Sequence, residues 1–327
     1  MSDASSEDHV RWGILSAGKI AKEWVAPAIH MSDRGGIAAI ASKTPGKAAA
    51  LAAPYGDVTL FNDYDKLLAS DLIDAVYIPL PNSEHVEWTA KALKAGKHVL
   101  TEKPIALSAD EIDPLMDLSA ENDLLAAEAF MVVHHPQWHR VRELLGEGAI
   151  GEVRHVQGAF TYFNDDMENI RNRSDVGGGA LRDIGVYPSV VTRFVTGQEP
   201  EEISAQIDWE NGIDATARVW ATFPGFNMDF YVSMRMGNRQ QMTFHGTKGF
   251  LTVETPFNAK LYGDDVVTIR IGDTTTHERF PLVDHYREQI NAFNTSVLDG
   301  GEYICPLAFS KGNQRMIDMI YEAANKE

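Results

Sequence analysis

The residues with the clearest chemical potential are Glu102, Lys103 and Pro104, which come directly after the apolar pair Val99-Leu100. Such a pair is typical of a buried strand, and the proline fixes its own φ and biases the lysine towards an extended backbone. Open α/β sheets bind ligands at the carboxyl ends of their strands, so a lysine held there is a candidate catalytic group. An exposed surface lysine is the alternative at this point.

The composition limits the classes of protein to which the chain can belong. The 327 residues allow two domains, and 44% hydrophobic and 23% charged residues are usual for a globular protein. A formal net charge of -18 argues against nucleic acid and anionic membranes as partners, since phosphate binding needs clustered lysine and arginine. The first residues lack a signal-peptide profile and no apolar run has the ~18 residues of a membrane span. We expect a cytoplasmic protein, and Cys305, the single cysteine, excludes an intrachain disulfide.

A dinucleotide site is predicted at the start of the chain. Val10 to Leu15 has the pattern of a strand, and Ser16-Ala17-Gly18-Lys19-Ile20-Ala21 follows at once and opens a helix. This is the strand, turn and helix order of a dinucleotide fingerprint, with Ser16 in the first glycine position and Ala21 in the third. A chance turn is the alternative, but the βαβ pattern that follows favours the fingerprint.

The end of the second strand predicts the type of nicotinamide cofactor. Gly36 to Ala41 leads into Ser42-Lys43, where an NAD-specific fold usually has a carboxylate for the ribose 2'-OH. A hydroxyl followed by a cation suits a 2'-phosphate, which favours NADP, with NAD still possible. An exposed lysine in a turn is the bland alternative.

A rigid loop follows the next buried strand, Ala75 to Ile78. It reads Pro79-Leu80-Pro81-Asn82-Ser83-Glu84-His85, and its two prolines stiffen it. His85 therefore faces the cofactor or, as an equal alternative, caps or packs the helix that follows.

The second half of the chain changes pattern. We place the domain boundary at residue 128, with an N-terminal Rossmann domain over residues 1–128 and an α/β substrate and oligomerisation domain over residues 129–327. His134, His135 and His139 are close together, but no carboxylate or cysteine shares their spacing, so we predict no metal site and assign them structural or substrate-facing roles.

Alternating strands connected by short polar turns predict a large, mostly antiparallel open sheet. Helices near residues 178–196, 284–298 and 307–324 are expected to cover one face of it. The strands are expected at residues 153–163, 202–209, 214–223, 228–237, 239–245, 249–254 and 265–272. The other face of the sheet is expected to carry the apolar residues Trp209, Trp220, Met234 and Met236. These residues suggest packing between subunits, and hence a homodimer or homotetramer.

The chain resembles the glucose-fructose oxidoreductase, inositol dehydrogenase and MocA (Gfo/Idh/MocA) family of NAD(P)-dependent oxidoreductases from Val10 onwards. Four stretches carry the resemblance: Gly13-Ile14-Leu15-Ser16-Ala17-Gly18-Lys19-Ile20-Ala21, Pro79-Leu80-Pro81-Asn82-Ser83-Glu84-His85, Ala95-Gly96-Lys97-His98-Val99-Leu100-Thr101-Glu102-Lys103-Pro104, and Gly177-Gly178-Gly179-Ala180-Leu181-Arg182-Asp183-Ile184-Gly185-Val186-Tyr187. The resemblance implies a doubly wound parallel sheet followed by an α/β domain with an open sheet, and an active site between them that uses Lys103. It also implies a small-molecule sugar or polyol substrate.

The fourth stretch narrows this interpretation. Many relatives have histidine four residues after the aspartate, whereas Asp183 is followed at that spacing by Tyr187. This resembles the branch with dimeric dihydrodiol dehydrogenase and bacterial D-xylose or aldose dehydrogenases. We expect Tyr187 to remove the hydroxyl proton of an aldose, with Lys103 stabilising the phenolate and so lowering the phenol pKa from its reference value of about 10. Asp183 would bond Lys103 or a sugar hydroxyl.

The remaining expected site residues follow from these stretches. Around the sugar we expect Asn164, Arg171 and Asn172. The expected cofactor contacts are Ser16, Gly18, Lys19, Ile20, Ser42, Lys43, Pro79, Leu80, Asn82, His85, Glu102 and Lys103.

Three functions are compatible with these features. The favoured one is NADP-dependent oxidation of an aldose such as D-xylose or D-glucose at C1 to its lactone. A trans-dihydrodiol dehydrogenase or another polyol or keto-sugar oxidoreductase is the second. The third is an NADP(H)-sensing regulator without turnover, which would be expected to lose the lysine or its partners.

Overall fold

The computed structural model describes residues 8–259, 261 and 265–324, which divide into two compact units. The first contains Met1–Met131 and Tyr286–Lys311, and the second contains Val132–His285 and Gly312–Glu327. Residues 286–311, which the sequence assigned to the second domain, therefore pack with the first unit.

Nine helices lie in the described part of the chain, besides short 3-10 and π-helical turns. They are α1 (Ala26–His30), α2 (Lys47–Ala52), α3 (Tyr64–Leu68), α4 (His85–Lys94), α5 (Asp113–Glu121), α6 (Pro136–Gly146), α7 (Val186–Thr196), α8 (His285–Asp299) and α9 (Leu307–Ala324). A π-helical turn precedes both α1 (Ala21–Val25) and α7 (Leu181–Gly185). None of the helices in these described ranges is long and apolar enough to cross a membrane.

The first unit is built on a parallel sheet of six strands. These are β1 (Val10–Leu15), β2 (Gly35–Ala41), β3 (Thr59–Phe61), β4 (Ala75–Ile78), β5 (His98–Thr101) and β6 (Ala126–Glu128), in the spatial order β3-β2-β1-β4-β5-β6. All neighbours are parallel, which confirms the predicted doubly wound sheet. The strand order reverses direction between β1 and β4, and ligands of such sheets bind outside the carboxyl ends of the strands at this switch point.

Helix α8 belongs to this sheet rather than to the second one, contrary to the sequence prediction. The indole Nε1 of Trp12 in β1 donates to Asn294 Oδ1 at 2.9 Å, and the ring of Phe293 lies 4.9 Å from that of Trp12. Trp12 is fully buried, so α8 shields an apolar strand that would otherwise face solvent.

The second unit contains a sheet of eight strands. They are β7 (Val153–Phe163), β8 (Glu202–Glu210), β9 (Ile213–Phe223), β10 (Phe226–Ser233), β11 (Arg235–Gly246), β12 (Gly249–Val253), β13 (Val266–Ile271) and β14 (Thr274–Arg279). Their order is β14-β13-β12-β11-β7-β10-β9-β8, and every neighbouring pair is antiparallel except β7 and β10. The mostly antiparallel sheet is thus confirmed.

Two strand predictions were wrong in detail. The strand expected over residues 228–237 ends at Ser233, and β11 begins at Arg235, with an irregular register between Arg235 and Arg239 that lets the chain turn back along β7. Strand β14 was not predicted because its sequence, Thr-Thr-Thr-His-Glu-Arg, has no alternating apolar residues and is largely exposed.

One face of the second sheet is covered and the other is open. Helices α7 and α9 contact each other through Ser189, whose hydroxyl donates to Asn313 Oδ1 at 2.5 Å, and α9 reaches β9 through a bond from Tyr321 to Asp214. Trp220 is 51% exposed and Trp209 is 49% exposed, whereas Met234 is fully buried, which corrects its predicted place on the open face.

Candidate functional site

Lys103 lies where β5 ends, as predicted, and neighbouring strands fix the backbone around it. Glu102 donates its N–H to Ile78 O of β4 at 3.0 Å, and the Tyr77 hydroxyl donates to Glu102 Oε1 at 2.6 Å. The bond between Lys103 and Pro104 is cis. Lys103 is thus presented from a segment bonded to the strand beside it.

A carboxyl group that the sequence analysis did not single out lies at the end of β6. Glu128 is 3% exposed, and its Oε1 accepts the N–H of Ile105 at 3.0 Å. Burial raises the pKa of Glu128 to about 8, although the positive charge of Lys103 acts in the opposite direction. Its signal in the sequence was the same as for Glu102, a carboxylate that directly follows an apolar strand.

The predicted fingerprint turn has the geometry of a close approach. Ser16 has φ of 98°, a conformation that favours glycine, and its N–H donates to Ala41 O at 2.9 Å. A Cβ added to Gly18 would lie 3.4 Å from Pro79 O, so the turn after β1 lies against the loop after β4. The structure therefore brings together Ser16, Gly18 and Pro79 at the switch point. The small residues of this turn allow the close backbone approach that binding of a pyrophosphate requires.

Lys43 also lies in a defined setting. Its ammonium nitrogen is 4.6 Å from the ring centroid of Tyr64 and 5.3 Å from that of Trp88. The neighbouring Ser42 is buried, with its hydroxyl 3.2 Å from the N–H of Thr44. Two aromatic faces thus attract the cation at the end of β2. A hydroxyl and an ammonium here fit the 2'-phosphate of NADP.

His85 does not point to solvent. It is fully buried, with Nδ1 2.7 Å from Pro104 O and Nε2 2.7 Å from Leu80 O, and burial lowers its pKa. The ring joins the loop after β4 to the loop after β5. This geometry supports the packing role that the sequence left open rather than direct contact between the imidazole and a cofactor.

The other expected cofactor residues lie near the same strand ends. Leu80 is buried, Asn82 begins a 3-10 turn over Asn82–Glu84, and Ile20 precedes the π-helical turn. Lys19 is exposed and 4.0 Å from Glu23. Their contacts with a cofactor stay predictions.

In the second unit, a run of glycines starts the helix that carries Asp183 and Tyr187. A Cβ on Gly178 would lie 2.5 Å from Arg171 O, and one on Gly179 would overlap the carboxylate of Asp214. Asp214 Oδ2 accepts the N–H of Leu181 at 2.5 Å. Burial raises the pKa of Asp214 to about 6. The glycines therefore allow the start of this helix to pack tightly against the segment before it and against Asp214.

Asp183 has two partners within the second unit, and its predicted bond to Lys103 stays a prediction. Its Oδ2 accepts the hydroxyl of Tyr162 at 2.6 Å and Nε of Arg171 at 2.9 Å. The negative charge of Asp183 raises the pKa of Arg171, and burial raises that of Tyr162. Asp183 thus organises this cluster within the second unit; Lys103 belongs to the first unit. The sequence analysis did not single out Tyr162.

Tyr187 lies one turn after Asp183, as predicted. It is 6% exposed, and the rings of Phe160 and Phe257 each lie 5.6 Å from its own. The phenol therefore sits at the edge of a buried aromatic cluster.

The expected sugar-binding residues differ in how free their polar groups are. Asn172 is buried, donates to Asp166 O at 2.9 Å and accepts from Arg235 at 3.1 Å, so its amide holds the loop together. Asn164 Oδ1 accepts the N–H of Asp166 at 3.1 Å. Arg171 keeps 45% of its side chain exposed and is the member of this set with accessible donors.

The histidines after residue 133 pack inside the second unit. His135 Nε2 lies 3.4 Å from Asp265 Oδ2, and both side chains are buried. Burial lowers the pKa of His134 to about 3. Across residues 8–259, 261 and 265–324, no group of three or more histidine, cysteine, aspartate or glutamate side chains has the arrangement of a metal site. The structural role is therefore the one supported for His134 and His135.

Comparison with known proteins finds a family match for each half of the chain. The family described as "Oxidoreductase family, NAD-binding Rossmann fold" matches residues 10–130, and "GFO/IDH/MocA C-terminal domain" matches residues 138–252. A dTDP-3,4-didehydro-2,6-dideoxy-alpha-D-glucose 3-reductase from Actinomadura kijaniata is 32% identical over 98% of this chain and 96% of its own. D-xylose 1-dehydrogenase (NADP(+)) 2 from Haloferax volcanii is 32% identical over 96% of this chain and 97% of its own.

A solved structure agrees with these matches. KijD10, a 3-ketoreductase from Actinomadura kijaniata in complex with NADP and TDP-benzene, has a TM-score of 0.89 and 30% identity, covering 96% of this chain and 98% of its own. KijD10 was also crystallised with a tyrosine replaced by phenylalanine and with a lysine replaced by alanine. The chain therefore belongs to the Gfo/Idh/MocA family of oxidoreductases.

Proposed function

We propose that this protein is an NADP(H)-dependent sugar oxidoreductase that oxidises an aldose at C1 to the lactone. The observation that carries the proposal is Lys103, held at the end of β5 in the same sheet edge as the fingerprint turn at Ser16 and Gly18. A lysine at a parallel strand end near a dinucleotide cradle is placed for chemistry on a bound substrate.

The cofactor would be held by the first unit. Ser16 and Gly18 provide a backbone cradle for the pyrophosphate, and Ser42 with Lys43 provides polar groups for the 2'-phosphate. The bound nicotinamide supplies the acceptor for a hydride from the sugar carbon. The NADP named with KijD10 and the Haloferax enzyme supports this choice over NAD.

The proton is the task of the protein's own side chains. The Tyr187 phenolate takes the hydroxyl proton of the sugar while the sugar carbon loses a hydride. The ammonium of Lys103 stabilises that phenolate. Arg171 donates to a sugar hydroxyl, and Asp183 fixes Arg171 and Tyr162 in place through the bonds described above.

A second candidate reaction runs in the opposite direction, with NADPH reducing a keto sugar. The observation in its favour is the 32% identity to the Actinomadura 3-reductase, which equals that to the Haloferax xylose dehydrogenase. The aromatic rings around Tyr187 make a trans-dihydrodiol the third substrate class to test.

Nicotinamide absorbance tests these proposals directly. Purified protein is mixed with NADP⁺ or NAD⁺ and aldoses, inositols or trans-dihydrodiols, and with NADPH and keto sugars. We expect reduction of NADP⁺ by a pentose or hexose and its loss in Lys103→Ala. Reaction with another class alone would reassign the substrate, and silence with tightly bound NADP(H) would favour the regulator.

We also propose that the open face of the second sheet joins copies of this chain into a homodimer or homotetramer. The exposed Trp220 supports it, because large exposed aromatic side chains are common at interfaces. Trp209 is also exposed, but its ring lies 6.1 Å from that of Tyr321 in α9. Sedimentation at micromolar concentration should show an oligomer that Trp220→Glu weakens. A monomeric wild-type profile would contradict this proposal.

A further inference from the structure

A buried carboxyl group next to the lysine has no part in the reaction as written so far. Glu128 ends β6 and pairs in register with Thr101, two residues before Lys103. Its side chain is almost entirely shielded from water, which is costly for a carboxyl group unless neighbouring groups compensate. Such a group at the edge of a sheet that binds ligands requires an explanation.

The backbone after the lysine is tied to this carboxyl group. Ile105, two residues beyond Lys103, donates its N–H to Glu128 Oε1 at 3.0 Å. His85 contacts the carbonyl of Pro104 from the other side at 2.7 Å. The turn that carries the lysine is therefore held at two successive residues by side chains from different elements.

The charged and polar groups facing Glu128 come from the end of β5 and from α9. Lys103 and Glu102 belong to the end of β5, and they have opposite effects: the lysine favours the ionised carboxylate and Glu102 disfavours it. The hydroxyl of Ser310 in α9 and the N–H of Ile105 complete its polar surroundings. The ionisation of Glu128 therefore depends on the charges at the end of the adjacent strand.

We propose that Glu128 is a positioning residue for Lys103: its Oε1 anchors the turn that carries the lysine through the Ile105 N–H, and the anchor is firmest when the carboxyl group is ionised. This inference rests on the proposed function for its kinetic consequence, but the anchoring of the turn does not. Because an ionised carboxylate is a stronger hydrogen-bond acceptor than a neutral group, the active form is the one with Glu128 ionised.

Glu128→Gln separates the hydrogen-bond acceptor of Glu128 from its negative charge. Glutamine keeps an oxygen for the Ile105 N–H and nearly the same volume, but it removes the charge. We expect kcat to fall about tenfold at pH 8.5 while the Kd for NADPH, measured by fluorescence, changes less than about threefold. Glu121→Gln, at an exposed position of α5, serves as the matched control and should leave both unchanged.

The pH profile distinguishes positioning through charge from a merely structural role. Wild-type kcat should show an ionisation near pH 8, the value to which burial raises the pKa of Glu128, and Glu128→Gln should lack it. A profile that keeps this ionisation in the variant, or a flat wild-type profile, would overturn the proposal. The wild-type profile provides a test even if the variant does not fold.

A structural readout tests the anchor without any substrate. Amide hydrogen exchange at pH 8.5, followed by peptide mass spectrometry, reports how firmly the backbone around Ile105 is held. We expect exchange in the peptide that contains Ile105 to be about threefold or more faster in Glu128→Gln, with a peptide from α6 unchanged. Equal exchange would refute the anchor. If wild type oxidises no sugar but this difference is found, the proposed function fails and the anchor stands.

Discussion

The two units position their candidate residues by different means. In the first, parallel strands bring Lys103, Glu128 and Ser16 to one edge, and the residues follow their strands directly in sequence. In the second, Asp183 is held by side chains from elsewhere in the chain, with Tyr162 twenty-one positions away. Backbone topology therefore determines the first set, whereas individual side-chain contacts determine the second. Substitutions should accordingly affect the two sets differently.

The largest effect is expected at the strand end. In the proposed mechanism Lys103→Ala removes the ammonium that stabilises the Tyr187 phenolate before it takes the proton, so kcat should fall by about 10²–10⁴. Because the sheet itself is untouched, the unfolding midpoint should change little. Steady-state kinetics and urea unfolding of the variant, with exposed Lys47→Ala as control, check this prediction. A variant with more than about half of wild-type kcat would remove Lys103 from the mechanism.

In the second unit the largest effect should be on stability. Gly178→Ala places a Cβ 2.5 Å from Arg171 O and 2.7 Å from Arg173 O, which are backbone atoms that cannot move freely. We expect a loss of about 2–4 kcal/mol in the free energy of unfolding. The control is Gly146→Ala, where nothing lies within 4 Å of the new Cβ. Equal stability of the two variants would show that the segment yields without cost.

The comparison also explains what could be predicted from sequence. The parallel sheet, the fingerprint turn and Lys103 were predictable because each depends on a contiguous pattern of strand, turn and helix. The partners of Asp183 were not, because Tyr162 and Arg171 reach it across the fold. Glu128 follows an apolar strand as Glu102 does, and a parallel sheet brings both strand ends to one edge, but the bond from the Ile105 N–H to Glu128 could not be predicted from the sequence.

Helix α8 illustrates the same limit. Its position in the chain, directly after the strands of the second sheet, predicted that it covers them. Its contacts with Trp12 from β1 show that burial of a distant indole decides where it packs. Periodicity gives the existence of a helix but not the surface that it covers.

Stability should depend on pH through Glu128. Its pKa in the folded state is about 8, above the value of about 4.3 for an exposed glutamate, so the folded protein binds a proton that the unfolded chain releases. The contribution is fully present below pH 4 and is lost as pH rises through 8. Between pH 6.5 and 8 the loss averages about 1 kcal/mol per pH unit, because the folded state itself releases the proton around pH 8.

Unfolding in urea at several pH values measures this dependence. The pKa of His134 is lowered to about 3, so this side chain affects stability mainly at pH values below 6.5, its ordinary pKa. Asp214, with a pKa of about 6, is already ionised above pH 7. Glu128→Gln should therefore flatten the curve between pH 6.5 and 8. An equally steep curve in the variant would assign the proton to another group.

The smallest effect is expected at the cofactor phosphate. Lys43→Ala removes a cation held near Tyr64 and Trp88, and should lower the preference for NADPH over NADH by about tenfold. The exposed Lys66→Ala should leave the preference unchanged. Dissociation constants from fluorescence titration provide the comparison, and an unchanged ratio in Lys43→Ala would place the 2'-phosphate elsewhere.

Transfer of deuterium tests the central claim, that the protein moves a hydride from C1 of an aldose to NADP⁺. The protein is incubated with NADP⁺ and D-xylose or D-glucose carrying deuterium at C1, and the cofactor is analysed by mass spectrometry. We predict deuterium in the reduced cofactor with wild type, and formation of that cofactor about a hundredfold or more slower with Lys103→Ala. Reduced cofactor without deuterium, or none with any aldose while a dihydrodiol or keto sugar reacts, would contradict the account.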